Sequence, residues 1–141
     1  MKRYLLDTAL LAAYFYNRRA AVDIVSPWIL AGEAATSILV YGELIEHLKR
    51  LPDFMRRRVE LRELLREIAP YFLTYSIMER YAELRRQLRP PHGPGLIGDV
   101  DTLIAATALE RGLVLVTTDT DFERVPGLEL TRIPRGTLQT Q

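Results

Sequence analysis

The chain has 141 residues, 48% of them hydrophobic and 26% charged. That is one ordinary globular domain with a core of useful size. A net charge of +1 gives no overall attraction to nucleic acid or to an anionic membrane, and the absence of cysteine excludes disulfides and thiolate metal sites.

No apolar run approaches the roughly 20 residues that span a bilayer. The opening MKRYLLDTALLAAYFY has the basic-then-apolar look of a signal peptide. Asp7 breaks the run, and residues 14–19 offer no small-residue cleavage site, so a strand followed by a helix is the better description. A cytoplasmic location is expected.

Residues 3–6 form a short apolar strand that ends at Asp7, and TALLAAYFY continues as a helix. Asp7 or Thr8 suits its cap. A second helix covers 20–30, kinked or restarted at Pro27 and stopped by Gly32. EAATS at 33–37 is a weak strand whose Thr36 or Ser37 caps a third helix, with Ile38, Tyr41, Ile45 and Leu48 at helical spacing and Glu43 off that stripe.

Pro52 and Asp53 open a fourth helix, expected to run to about Ala69 and to stop at Pro70. YFLTY at 71–75 then reads as a buried strand. Ser76, with Glu79 three residues on, has the pattern of a capping box for a fifth helix through about Leu88. The Pro- and Gly-rich 90–95 segment is expected to be a mobile loop. A helix over 99–111, a Gly112 stop, a strand over 113–117 and a last strand near 128–133 complete the chain.

Strands separated by helices need crossover connections, hence a mainly parallel sheet. The apolar runs YLL, YFLTY and LVLV lack alternation, as in strands covered on both faces. The expected class is α/β, a single three-layer α/β/α sandwich over residues 1–141, with no second domain.

Four of the seven aspartates, Asp99, Asp101, Asp119 and Asp121, fall within 98–122, and a fifth, Asp7, directly follows the first strand. Ligands of open α/β sheets bind beyond the carboxyl ends of the strands. Asp7 and Asp119 project there, and the 99–101 pair opens a helix that starts at that rim. Glu43 lies one to two turns into the helix leaving the second strand. Like charges so gathered repel, and a hard divalent cation relieves the repulsion. An all-oxygen donor set without Cys or clustered His suits Mg²⁺ or Mn²⁺, which can promote phosphodiester hydrolysis.

The motifs YLLDT (4–8), YGEL (41–44), DTLIAATA (101–108) and VTTDTDF (116–122) resemble the acidic motifs of PIN-domain ribonucleases, and most closely those of VapC-type toxins of toxin–antitoxin pairs. The resemblance covers nearly the whole chain and rests on four motifs in order. It implies a metal-dependent endoribonuclease with Asp7, Glu43, Asp101 and Asp119 as catalytic, Mg²⁺- or Mn²⁺-holding acids. Asp99 and Asp121 are auxiliaries, and Thr8 and Thr117 orient carboxylates or water. It further implies attack by activated water to leave a 5′ phosphate, an RNA substrate, a homodimer, and an antitoxin partner that occludes the site.

Plainer roles compete for several of these residues. Asp99 is equally an N-cap, Asp101 complements a helix dipole, and Asp119 or Asp121 initiates a turn. The arginines of 56–66 and 80–89 are interleaved with glutamates and read as solvated faces rather than an RNA path. His47 and His92 read as surface or packing residues, and Trp28 with Tyr14 and Phe15 as core or a dimer face. A catalytically inert PIN module that binds RNA or protein is the alternative function. A phospho-acceptor receiver needs a lysine beyond the fourth strand, and a haloacid-dehalogenase-type phosphatase an Asp where Ala9 stands, so both drop out.

Overall fold

A computed structural model describes residues 1–139. Five strands alternate with six helices: β1 (Tyr4–Leu6), α1 (Thr8–Phe15), α2 (Arg19–Leu30), β2 (Ala34–Ser37), α3 (Ile38–Leu48), α4 (Phe54–Leu64), β3 (Ala69–Tyr71), α5 (Tyr75–Leu88), α6 (Asp99–Arg111), β4 (Val114–Thr117) and β5 (Leu130–Arg132). A 3-10 turn, Thr120–Arg124, joins β4 to β5, and a second, Arg135–Gln139, follows β5. The sheet order is β3-β2-β1-β4-β5 and all four pairings are parallel. This is the expected three-layer α/β/α sandwich.

The three inner strands are the most deeply covered. Leu5 and Leu6 of β1, Ala34 and Ala35 of β2, and Leu115 and Val116 of β4 have no solvent exposure. Small residues in β2 and on α6 (Ala105, Ala106, Ala108) let helix and sheet approach closely, with Leu10, Leu11 and Ile104 filling the space between. α5 packs along α6 through Ile77, Leu84 and Leu88, all buried. None of the described helices is long and apolar enough to cross a membrane.

Most boundaries follow local chemistry. Ser37 caps α3, its hydroxyl accepting the Leu39 N–H at 3.1 Å. α6 ends where Gly112 takes φ +65° and the Leu113 N–H reaches back to the Ala108 carbonyl at 2.9 Å. Pro27 neither restarts nor breaks α2. The bond it cannot make would have gone to the carbonyl of Asp23, which lies on the exposed side.

Three expectations are corrected. α4 ends at Leu64, not near Ala69, and β3 is Ala69–Tyr71, two residues earlier than the 71–75 run, pairing with Ala35, Thr36 and Ser37. Apolar character misled here because Phe72 and Leu73 are 65% and 39% exposed beyond the end of an edge strand. Only at such an edge can Pro70 sit within a strand. The cap of α5 is Thr74, whose hydroxyl accepts the Ile77 N–H at 3.3 Å, so the Ser76–Glu79 capping box does not form. The 90–95 loop is folded back onto the end of α5, with the Gly95 N–H bonded to the Leu88 carbonyl at 2.8 Å. A Cβ on Gly93 would stand 1.9 Å from the Gln87 carbonyl oxygen, so only glycine fits that approach.

Candidate active site

Asp7 leaves the end of β1, and its N–H bonds across to the Val116 carbonyl of β4 at 3.0 Å. The side chain is 8% exposed. One carboxylate oxygen accepts the Thr8 N–H at 2.8 Å, which caps α1, and the other accepts the Thr117 hydroxyl at 2.6 Å. The cap and the inward-held carboxylate are therefore the same residue in one rotamer.

Thr117 also accepts the Asp119 N–H at 3.1 Å, so one buried hydroxyl ties the ends of β1 and β4 together. Asp119 in turn accepts the Asp121 N–H at 2.9 Å and caps the 3-10 turn. Below this rim the Thr36 hydroxyl donates to the Leu6 carbonyl at 2.7 Å and locks β2 to the end of β1. The Thr8 hydroxyl donates to Glu43 on α3, bringing that exposed acid toward the head of α1.

Asp101 sits half-buried in the first turn of α6. Burial first, then the charges of Asp7, Asp119, Glu43 and Asp121, push its carboxyl up to about 6. Asp7 is also raised, chiefly by burial; the Thr117 and Thr8 bonds oppose the rise, while Glu43 and Asp119 add to it. The charges of Glu43 and Asp119 are thus felt at Asp7, and those of Asp7, Asp119, Glu43 and Asp121 at Asp101. Asp7, Glu43, Asp101 and Asp119 come from four segments and meet at one rim, with Asp121 at its edge.

Asp99 faces elsewhere. Its carboxylate takes the Arg85 guanidinium at 2.6 Å and the Tyr81 hydroxyl at 3.2 Å, both from α5. It is not the N-cap either: that position is Gly98, whose carbonyl accepts the Thr102 hydroxyl at 2.8 Å. Asp121 pairs with Arg124 at 3.6 Å. His47 contacts Arg50 through Nδ1 at 2.7 Å, and His92 is exposed in the 90–95 loop. Trp28 stacks on Tyr4 at 4.0 Å between ring centroids. Arg56 and Arg57 of α4 pair with Asp53 just before the helix, and Arg66, just after it, pairs with Glu63.

Sequence reasoning missed that Arg85 and Tyr81 hold Asp99. Their i, i+4 spacing places them on one face of α5, but only the packing of α5 on α6 says that this face meets Asp99.

The four rim acids offer only hard oxygen donors, and their mutual repulsion is what a divalent cation would relieve. Among the described residues, no three acidic or histidine side chains form a preassembled ion cage. The fit to a cation therefore rests on donor chemistry and on the carboxyl of Asp101 being pushed up by burial and by the acids around it. A cleft of about 370 Å³ adjoins α1, with Ala9, Ala12, Tyr16, Arg18, Thr118 and Arg135 on its walls.

The family model described as PIN domain matches residues 4–128. No curated protein matches the sequence. Among solved structures, the chain is similar to VapBC2 of Rickettsia felis, bound to a DNA fragment from its promoter, with TM-score 0.80 and 22% identity over 92% of this chain and 98% of that one. It is similar to DNA-bound VapBC of Salmonella typhimurium, with TM-score 0.82 and 21% identity over 94% of this chain and 98% of that one. VapBC-5 of Mycobacterium tuberculosis, a member of the VapBC family of toxin–antitoxin systems, gives TM-score 0.67 and 22% identity over 94% of this chain and all of that one. At these identities the likeness is one of fold.

Proposed function

This chain belongs to the PIN-domain family, and from that premise we propose that it is a divalent-metal-dependent endoribonuclease, the toxin of a VapBC-type toxin–antitoxin pair. The observation that carries the proposal is the meeting of Asp7, Glu43, Asp101 and Asp119 at one rim of the sheet, where burial and mutual charge raise Asp101 to about 6. A structural role for any one acid does not account for Asp7 and Asp101 both being held where burial and neighbouring carboxylates oppose their charged forms.

Asp7, Glu43, Asp101 and Asp119 would hold Mg²⁺ or Mn²⁺. When bound, the cation supplies Lewis acidity toward a phosphoryl oxygen and acidified water. The chain's own part is to fix the donors. Thr117 holds Asp7 and the Asp119 backbone in one arrangement, and Thr8 steadies Glu43. The carboxyl of Asp101, pushed up to about 6 by burial and by its acidic neighbours, is the one a bound cation would relieve most. Asp121 stands at the cluster's edge as an auxiliary charge.

The similarity to VapBC structures supports a cognate antitoxin as partner, and a homodimeric state and a cytoplasmic location are parts of the same proposal. Calorimetric titration of Mn²⁺ into wild type and Asp101→Asn, paired with cleavage of a mixed RNA pool, tests the function. We expect metal binding and 5′-phosphate products from wild type and neither from the variant, with an unchanged circular dichroism spectrum. Absent metal binding in wild type, even with RNA present, would leave the inert module as the better description. Cleavage by Asp101→Asn at the wild-type rate would overturn the site.

A further inference from the structure

The rim acids face a difficulty that the proposed function must solve. The groups acting most strongly on Asp7 and Asp101 are carboxylates and hydrogen-bond donors, with no cationic side chain among them. An RNA strand carries a negative charge at every phosphate and is repelled by such a cluster, so phosphates beyond the reach of the metal need cations of their own.

The structure places two. Arg85 reaches from α5 to Asp99, two residues before Asp101, and its side chain is 29% exposed. Arg124 reaches back from the 3-10 turn after Asp119. Its Nη1 donates to the Leu96 carbonyl at 3.1 Å and its Nη2 lies 3.6 Å from Asp121. Both guanidinium groups therefore border the 96–99 segment that leads into α6 and to Asp101. One belongs to α5 and the other to the turn beyond β4.

Each is tethered and still has donors to spare. A guanidinium has five N–H groups in a fixed fork, and Arg85 donates Nη1 to Asp99. Its ring neighbour Tyr81 lies under it at 5.8 Å and donates to the same carboxylate, which further restricts its rotamers. Holding α5 to α6 does not require this pair. The Arg80–Glu110 bridge, at 2.9 Å, spans the same two helices, and Ile77, Leu84 and Leu88 are buried between them. A preorganised arginine is the side chain best suited to phosphate, since its fork matches two oxygens and less freedom is lost on binding.

We propose that Arg85 and Arg124 form a two-cation strip that takes backbone phosphates of the RNA next to the scissile one, and that Asp99 is the positioning residue of Arg85 rather than a holder of the metal. This rests on the ribonuclease function proposed above. The strand then runs past the rim acids along the seam between α5 and the 3-10 turn.

The test is fluorescence anisotropy of a labelled 20-nucleotide single-stranded RNA of mixed sequence, titrated in EDTA over a range of salt with wild type, Arg85→Ala, Arg85→Lys, Arg124→Ala and the double alanine variant. Removing one phosphate-binding cation should reduce the slope of log affinity against log salt by about 0.7. Each single alanine variant should weaken binding by about tenfold at low salt. Arg85→Lys should keep the salt slope while giving up part of the affinity, a result that poorer packing alone would not produce. Thermal melts of the same samples show that the variants are folded. Manganese titration of Asp99→Asn should match wild type, and a drop in Mn²⁺ affinity there would assign Asp99 to the metal and overturn its positioning role. Wild-type slope and affinity in the double alanine variant would overturn the strip while leaving the ribonuclease intact. Failure of wild type to bind the RNA in EDTA would overturn the strip alone, and failure to cut RNA with Mn²⁺ present would overturn both.

Discussion

Asp101 carries the sharpest consequence at the scale of single residues. Its carboxyl ionises near 6 in the fold against an ordinary 3.8, so folding favours the protonated form. Below about pH 3.8 both states are protonated and the site costs nothing. Stability is lost as pH rises from there to about 6, and above that the full cost of an ionised Asp101 persists. Asp101→Asn should therefore stabilise the metal-free protein at pH 7.5 by about 1 kcal/mol, less than half the fully buried value because the group is partly solvated. At pH 3.5 the difference should vanish. Urea unfolding in EDTA at the two pH values measures this, and an equal effect at both would show that the carboxylate is not under electrostatic strain. Thr117→Val is the companion change. It keeps shape but removes the donor to Asp7 and the acceptor for the Asp119 N–H, both in a buried setting. We expect about 1–2 kcal/mol of destabilisation in the same unfolding experiment, with weaker Mn²⁺ binding.

At the scale of elements, β3 and α5 show how the hydrophobic pattern and the backbone can disagree. The run YFLTY has strand composition, yet the hydrogen-bond ladder uses Ala69, Pro70 and Tyr71 instead. Parallel pairing with β2 decides the register, and β2 is only four residues long. The residues after Tyr71 are then free to turn into α5, and Thr74 is the first with a side-chain acceptor at the right distance. Thr74→Ala should cost about 1 kcal/mol through removal of the cap, whereas Ser76→Ala, already inside the helix, should cost close to nothing. Equal costs in thermal unfolding would return the cap to Ser76.

The whole molecule is a parallel sheet whose centre is β1, and its stability depends on close packing of α6 against that sheet. Ile104 is fully buried there, between α6 alanines that allow the helix to come near. Ile104→Ala should cost about 2–5 kcal/mol, which for a chain of this size lowers Tm by roughly 5–15 °C. Met55, 66% exposed on α4, is the control, and Met55→Ala should stay within about 0.5 kcal/mol of wild type. Because α6 also carries Asp101, the same packing that stabilises the domain sets the height of that acid above the rim. Ile104→Ala should therefore lower cleavage as well, even at temperatures where the variant remains folded.

Element order, parallel class and the placing of acids at strand ends were legible in the chain itself, because each depends on neighbours close in sequence. A strand followed directly by Asp7, a helix opening on Asp101 and a strand followed by Asp119 are local facts. The sandwich then follows from crossover geometry alone. What the chain could not show depends on partners far apart in it. Thr117 and Asp7 are separated by 110 residues, and their bond exists only because β1 and β4 pair. The register of β3 is set by β2, and Asp99 meets Arg85 only because α5 lies along α6. Local propensity fixes what an element is; long-range hydrogen bonding and packing fix where its side chains meet, and the ionisation of Asp101 belongs to the second kind.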